Sequence, residues 1–133
     1  MPPILYAHPF SSYCQKVLVA LYENGTAFEY RHLGEGDHMR ELAEMWPLKR
    51  FPLLVDGGQI VIESSTIIEY LQLHHPGPQR LVPDDPALAL EVRIMDRFFD
   101  NYVSTPQQAC TFDAIRPARA RDAYGVARAR QML

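Results

Sequence analysis

A short apolar run leads almost directly into a pair of serines, and a helical pattern begins there. Residues 4–7 are apolar enough to form a short buried strand. Ser11 and Ser12 are of a residue type that is preferred at the N-terminus of a helix, and the helical pattern continues to about Asn24. Gly25 then stands where a helix commonly ends. The chain therefore begins with a strand followed by a helix, the unit from which α/β domains are built.

Further strand and helix patterns follow this first unit in a definite order. They predict a strand over residues 28–33, a helix over 38–45, a hairpin of strands 53–55 and 59–62 around Asp56-Gly57-Gly58, and a helix from Glu63-Ser64-Ser65 to about His74. This order favours an α/β domain over residues 1–76.

The stretch around residues 77–85 is rich in proline and glycine, as linkers are. Asp85-Pro86 is a typical helix start. Beyond it, five large apolar residues recur at helical spacing and predict a helix that buries one face, in the core or at a subunit interface. They are Leu88, Val92, Met95, Phe99 and Tyr102. Residues 105–121 look irregular, and residues 123–133 resume a helical pattern. We therefore expect a partial all-α domain over residues 86–133.

Composition excludes several classes of protein. The net charge is −3 and no basic cluster stands out, which argues against nucleic acid as a partner. No apolar run approaches the roughly 20 residues that span a bilayer, so no membrane association is expected. The two cysteines, Cys14 and Cys110, make no disulfide framework. No secretory signal is visible, and a cytoplasmic location is the default expectation. The histidines lack the companion residues of a metal site, and none is expected.

Three motifs occur in order along the α/β segment. Ser11-Ser12-Tyr13-Cys14 places a hydroxyl at a helix N-terminus, three residues before a cysteine. Arg50-Phe51-Pro52 precedes the hairpin, and Glu63-Ser64 begins the helix after it. Together with the order of elements, these motifs resemble the cytosolic glutathione transferases of theta, zeta or beta type. The resemblance covers residues 3–76 and extends through the linker into the next helix. It implies a thioredoxin-like N-terminal domain, in the order β-α-β-α-β-β-α, followed by an all-α domain.

The resemblance implies a role for each motif. A serine hydroxyl, from Ser11 or in the zeta-like register from Ser12, would hold the thiolate of glutathione and lower the pKa of that thiol. Phe51, before a cis Pro52, would pair its backbone with the cysteinyl part. Ser64 and the helix N-terminus would hold the γ-glutamyl carboxylate, and Glu63 the ammonium.

Two further residues, His38 and Arg50, fall where theta-like enzymes place residues near the glycyl carboxylate. The implied function is conjugation of glutathione to a hydrophobic electrophilic small molecule by a homodimer. Glutathione is a co-substrate, and no cofactor or metal is implied. Because family members carry more C-terminal helices, the resemblance also implies a C-terminal domain that is truncated here.

Other interpretations stay open at this point. The serines can serve as helix caps only, and Glu63-Ser64 can be a strand end followed by a cap. Cys14 fits a buried structural thiol better than a nucleophile. Two other functions are compatible with the motifs: a non-catalytic binding or interaction protein with the same fold, and a glutathione-dependent thiol reductase or isomerase.

Overall fold

The structure is a computed structural model that describes all residues from 1 to 133. The chain forms two compact units, Met1–Val82 and Pro83–Leu133. The division between them lies inside the segment that was predicted to be a linker.

The first unit is a four-stranded mixed sheet with three helices. Its elements are β1 (Ile4–Ala7), α1 (Ser12–Glu23), β2 (Glu29–His32), α2 (His38–Met45), β3 (Leu53–Asp56), β4 (Gln59–Ile62) and α3 (Ser64–His74). The strand order is β2-β1-β3-β4, in which β1 runs parallel to β2 and antiparallel to β3. The predicted thioredoxin-like order β-α-β-α-β-β-α is confirmed.

Alternation along the strands separates two layers of core. Leu5 and Ala7 of β1 point to one face of the sheet, where they meet the apolar faces of α1 and α3. Tyr6 points to the other face and joins Leu42 of α2. The sheet therefore lies between α1 and α3 on one side and α2 on the other.

The second unit is helical. It consists of α4 (Pro86–Phe98), a π-helix (Phe99–Ser104), α5 (Thr105–Ala114), a short 3₁₀ turn (Ala118–Ala120) and α6 (Ala123–Met132). Asp85 caps α4 as expected, because its carboxylate accepts the N–H of Leu88 at 3.0 Å.

The helix predicted after Asp85-Pro86 is present as α4. The five apolar residues from Leu88 to Tyr102 are between 37% and 58% exposed in the single chain, and only the small Ala89 of α4 is buried, so burial of this face would require another chain.

A different prediction for this unit was wrong. The stretch predicted to be irregular contains α5. This helix packs on α6, and the carboxylate of Asp113 accepts the backbone N–H of Asp122 at 2.7 Å. Contacts remote in sequence therefore stabilise a helix that the local pattern does not predict.

Neither unit contains a helix that is long and apolar enough to cross a membrane.

Candidate active site

The serine pair forms the junction between β1 and α1. Ser11 is the N-cap of α1, and its Oγ accepts the N–H of Cys14 at 3.3 Å. Ser11 is only 1% exposed, whereas Ser12, the first residue of the helix, is half-buried. The structure thus gives Ser11 a definite capping bond, and that bond uses the oxygen as an acceptor. The hydroxyl proton remains able to serve as a donor.

Cys14 lies in the core below this turn. Its side chain is fully buried among residues of α1, α3 and the sheet. Burial raises the pKa of the Cys14 thiol, and hydrogen bonding to Ser11 opposes this effect only in part. The thiol is therefore protonated near neutral pH, as a structural cysteine should be.

The Phe51-Pro52 motif lies at the same edge of the sheet as the serine turn. The peptide bond between the two residues is cis, as the resemblance implied, and Pro52 is buried. Leu53, which follows, pairs with Tyr6 of β1, so the start of β3 lies beside the end of β1.

Glu63 and Ser64 reach this edge from the next strand. Leu53 pairs with Ile62, and this register places Pro52 and Glu63 beside each other at the ends of their strands. Glu63 is exposed and has φ of +70°, which is unusual for a residue with a Cβ. Ser64 is buried and is the first residue of α3. Non-glycine residues in such backbone conformations cluster at functional sites, which draws attention to Glu63.

A lysine links the two helices that begin at this edge. Lys16 Nζ in α1 donates to the Ser65 Oγ of α3 at 3.0 Å. A lysine side chain therefore bridges the N-terminal halves of α1 and α3, and each helix N-terminus offers backbone N–H groups and a partial positive charge. Such an edge suits a ligand that carries more than one anionic group.

His38 and Arg50 are less favourably placed for the contact with the glycyl carboxylate that the resemblance implied. Nδ1 of His38 lies 2.7 Å from the carbonyl oxygen of His32, so it acts as the donor in this bond. The neutral ring then offers only a lone pair at Nε2, and contact with a carboxylate would require the doubly protonated ring. Arg50 is exposed immediately before Phe51. Binding of the glycyl carboxylate by His38 or by Arg50 stays a prediction.

An ion-pair network fixes α2, which carries His38, on the sheet. Tyr6 donates its hydroxyl to the Glu41 carboxylate at 2.7 Å, and Arg31 donates to both groups. The hydrogen bond from Tyr6, assisted by Arg31, holds the pKa of Glu41 below its usual range. This network joins β1, β2 and α2 on the face opposite α1.

Two histidines at this edge were not predicted to belong to a site. His8 follows β1 and His32 ends β2, and their ring centroids are 5.4 Å apart. Because β1 and β2 are parallel, their carboxyl ends meet at one edge, and Ala7 pairs directly with His32. The signal that could have revealed them was this strand pairing. In the sequence alone, these histidines suggested no role other than metal ligation.

The sequence family model described as "Glutathione S-transferase, N-terminal domain" matches residues 5–79. This chain belongs to the glutathione S-transferase family. That match covers more than half of the chain, and it contains every motif on which the resemblance was based.

Individual relatives in the family carry different names. A probable maleylacetoacetate isomerase of Caenorhabditis elegans is 36% identical over 86 residues, which are 63% of this chain and 40% of the relative. A stringent starvation protein A homolog of Coxiella burnetii is 30% identical over 91 residues, which are 68% of this chain and 43% of the relative.

A glutathione S-transferase of Methylobacterium radiotolerans, solved in complex with glutathione sulfonate, superimposes with a TM-score of 0.76 at 31% identity. The alignment covers 99% of this chain and 62% of that one. The chain spans less than half the length of the two curated relatives. Function therefore has to be argued from the site itself.

Proposed function

We propose that this chain binds glutathione at the sheet edge formed by the ends of β1 and β4 and the start of β3. The observation that carries the proposal is the convergence of Ser11, Phe51 and Ser64, distant in sequence, on that edge. The convergence follows from the pairing of Leu53 with both Tyr6 and Ile62. The related Methylobacterium enzyme, solved with glutathione sulfonate, supports the same ligand class.

Each part of glutathione has a chemically suitable partner at this edge. Ser64 and the N-terminal N–H groups of α3 suit the γ-glutamyl carboxylate, and the Glu63 carboxylate suits the neighbouring ammonium. The backbone of Phe51 suits the amide groups of the cysteinyl residue. The sulfur then lies toward the Ser11 turn, at the positive end of the α1 dipole.

The proposed reaction is conjugation. The thiol loses its proton to solvent, and a hydrogen bond from the Ser11 hydroxyl stabilises the thiolate. The thiolate attacks an electrophilic carbon, a sulfur–carbon bond forms, and the leaving group departs with its electron pair. Ser12, the first residue of α1, remains the alternative donor, and its Oγ is buried although the residue as a whole is half-buried.

Three further features of the family are proposed for this chain. The second substrate is a hydrophobic electrophile, the assembly is a homodimer, and the location is the cytoplasm, where thiols stay reduced. The exposed apolar residues of α4 support an assembly, since exposed patches of this kind mark contact surfaces. Sedimentation at several protein concentrations would test the dimer.

A second candidate function is a non-catalytic interaction protein with the same fold. It is favoured by the burial of Ser11 and its bond to the N–H of Cys14, which a helix cap alone explains. The Coxiella relative supports this candidate, since it is named as a stringent starvation protein A homolog and not as a transferase or an isomerase.

Steady-state assays separate the two candidates, because only the transferase gives a wild-type rate above that of the reaction without protein. Rates with glutathione and a chlorinated aryl electrophile would be measured for wild type, Ser11→Ala and Ser12→Ala, with Ser104→Ala in the second unit as a control. Loss of a hydrogen bond to a thiolate should lower kcat/KM about tenfold or more. Because Ser11→Ala also removes a cap, worth about 1 kcal/mol, its unfolding curve must be recorded as well. If neither serine variant loses activity, the assignment of the hydroxyl is wrong.

A further inference from the structure

A second cleft opens at the edge of the sheet opposite the serine turn, and the function proposed above does not use it. It has a volume of about 530 Å³ and is lined by residues 1–3, residues 24–27, His75 and Pro76. Residues 1–3 come before β1 and residues 24–27 come before β2, whereas the serine turn follows the end of β1. Small-molecule sites have volumes of about 300–1,000 Å³, so this cleft is large enough for a ligand of its own.

The ends of two helices form part of the cleft. Asn24 is the C-cap of α1, and Gly25, with φ of +59°, turns the chain out of the helix. The N–H of Thr26 then donates to the carbonyl of Leu21 at 3.0 Å. The C-cap of α3 is His75. Because the C-terminus of a helix carries a partial negative charge, this end of the unit favours ligands that donate hydrogen bonds and disfavours anions.

The side chain of His75 is held on the sheet through one ring nitrogen. Its Nε2 lies 2.7 Å from a carboxylate oxygen of Asp56, which also accepts the Tyr70 hydroxyl at 2.9 Å. The bond from His75, followed by that from Tyr70, lowers the pKa of Asp56, so the carboxylate is ionised and Nε2 carries the proton that it accepts. Asp56 does not line the cleft, so Nε2 points away from it, and Nδ1 has no partner within the chain. In the neutral ring, Nδ1 is therefore an acceptor that a ligand in the cleft can use.

The walls beside His75 are apolar and rigid. Pro2, Pro3 and Pro76 line the cleft together with Ala27. Proline and alanine lose almost no side-chain entropy when a ligand packs on them. Rigid apolar walls beside a fixed acceptor suit an aromatic ring that carries one hydroxyl donor.

We propose that this cleft binds a phenol, whose hydroxyl donates to Nδ1 of His75 while its ring packs on the three prolines. The site is separate from the proposed glutathione site and does not depend on it. Because Asp56 already fixes the imidazole, little further ordering is needed when the ligand binds. A carboxylate of similar size would meet the negative ends of α1 and α3 and would bring no proton for Nδ1.

Phenol, anisole and benzoate differ in the group that meets Nδ1, and they are therefore the probes. NMR titrations of the full chain would follow the backbone amide of Thr26, which lies in the cleft. At about pH 8.5 imidazole side chains are neutral and a phenol keeps its proton. We expect saturable shifts with phenol, and binding at least about tenfold weaker with benzoate and with anisole, which has no donor.

Two substitutions separate the acceptor from the shape of the cleft. In His75→Asn the amide oxygen can take the place of Nδ1, although the bond to Asp56 is lost. In His75→Gln the amide nitrogen can still donate to Asp56, but no acceptor remains at the position of Nδ1. We expect His75→Asn to keep most of the affinity for phenol and His75→Gln to lose about tenfold. His74→Gln, at an exposed neighbouring position that does not line the cleft, is the matched control and should bind as wild type.

The proposal fails on several definite results. If phenol causes no saturable shift at Thr26, the site itself is refuted. Anisole that binds as tightly as phenol, or a His75→Gln variant with the affinity of wild type, overturns the acceptor role of His75. Saturating glutathione should leave the phenol titration unchanged, and displacement of phenol would contradict a separate site.

Discussion

Asp56 joins the sheet to the C-terminal end of α3. Removal of its side chain therefore tests how strongly these contacts hold α3, the helix that begins at Ser64, on the sheet. The Asp56 carboxylate accepts the Tyr70 hydroxyl at 2.9 Å and His75 Nε2 at 2.7 Å, and its side chain is 16% exposed. We predict that Asp56→Ala destabilises the fold without touching the candidate site.

The expected magnitude follows from these two hydrogen bonds. A hydrogen bond to a charged group contributes about 1.5–3 kcal/mol when it is well buried. Partial exposure, which is greater at His75 than at Asp56, reduces each contribution to about 1 kcal/mol. The free energy of unfolding should therefore fall by about 2 kcal/mol, and Tm by about 10 °C for a unit of this size.

The contribution of Asp56 should also depend on pH in a definite direction. The hydrogen bond from His75, followed by that from Tyr70, lowers the pKa of Asp56 from its usual value near 3.8. The stabilisation is therefore complete above about pH 4 and is lost as the pH falls through the lowered pKa. The difference in unfolding free energy between wild type and Asp56→Ala should shrink in that acid range.

Thermal and urea unfolding, followed by circular dichroism, would measure both effects. Glu44→Ala, which removes an exposed carboxylate from α2, is the control for a change in net charge. If Asp56→Ala is as stable as Glu44→Ala at neutral pH, or if its deficit grows on acidification, the reasoning about this pair of hydrogen bonds is refuted.

Three further predictions concern the core and the site. Ile67→Ala, at a fully buried position of α3, should lower the free energy of unfolding by about 3 kcal/mol in urea, whereas Ile60→Ala, at an exposed position, should cost less than about 1 kcal/mol; equal losses would contradict the assigned core. Cys14→Ala should lower stability by about 1 kcal/mol and leave conjugation intact, and the Cys14 thiol should react with a disulfide reagent only on unfolding; fast reaction in the native state would contradict a buried thiol. Glu63→Gly should not be less stable than wild type, since glycine tolerates positive φ, yet its Kd for glutathione in a binding titration should rise about tenfold; unchanged affinity would remove Glu63 from the site.

Local patterns predicted the parts of the fold in which short-range signals agree with the tertiary structure. The strand before Ser11, the hairpin around Asp56-Gly57-Gly58 and the start of α3 at Ser64 are all present. Turn chemistry and capping residues act within a few positions, so the sequence displays them directly.

Features that depend on strand pairing or on helix packing were missed. His8 and His32 come together only because β1 and β2 pair in parallel with Ala7 opposite His32. The α5 helix has no clear apolar stripe, and it is held by α6 and by the buried Asp113. The apolar residues from Leu88 to Tyr102 recur at helical spacing, yet in the single chain they are exposed. Periodicity indicates which residues share a helix but not how deeply each is buried.

The proposed function depends most on glutathione binding with its γ-glutamyl carboxylate at the N-terminus of α3. Calorimetric titration of glutathione into wild type, Ser64→Ala and the control Ser104→Ala tests it most directly. We predict saturable binding by wild type and by Ser104→Ala, and an affinity at least about tenfold weaker for Ser64→Ala, because a hydrogen bond to a carboxylate is lost. No binding by wild type, or equal affinity in all three proteins, would contradict the claim.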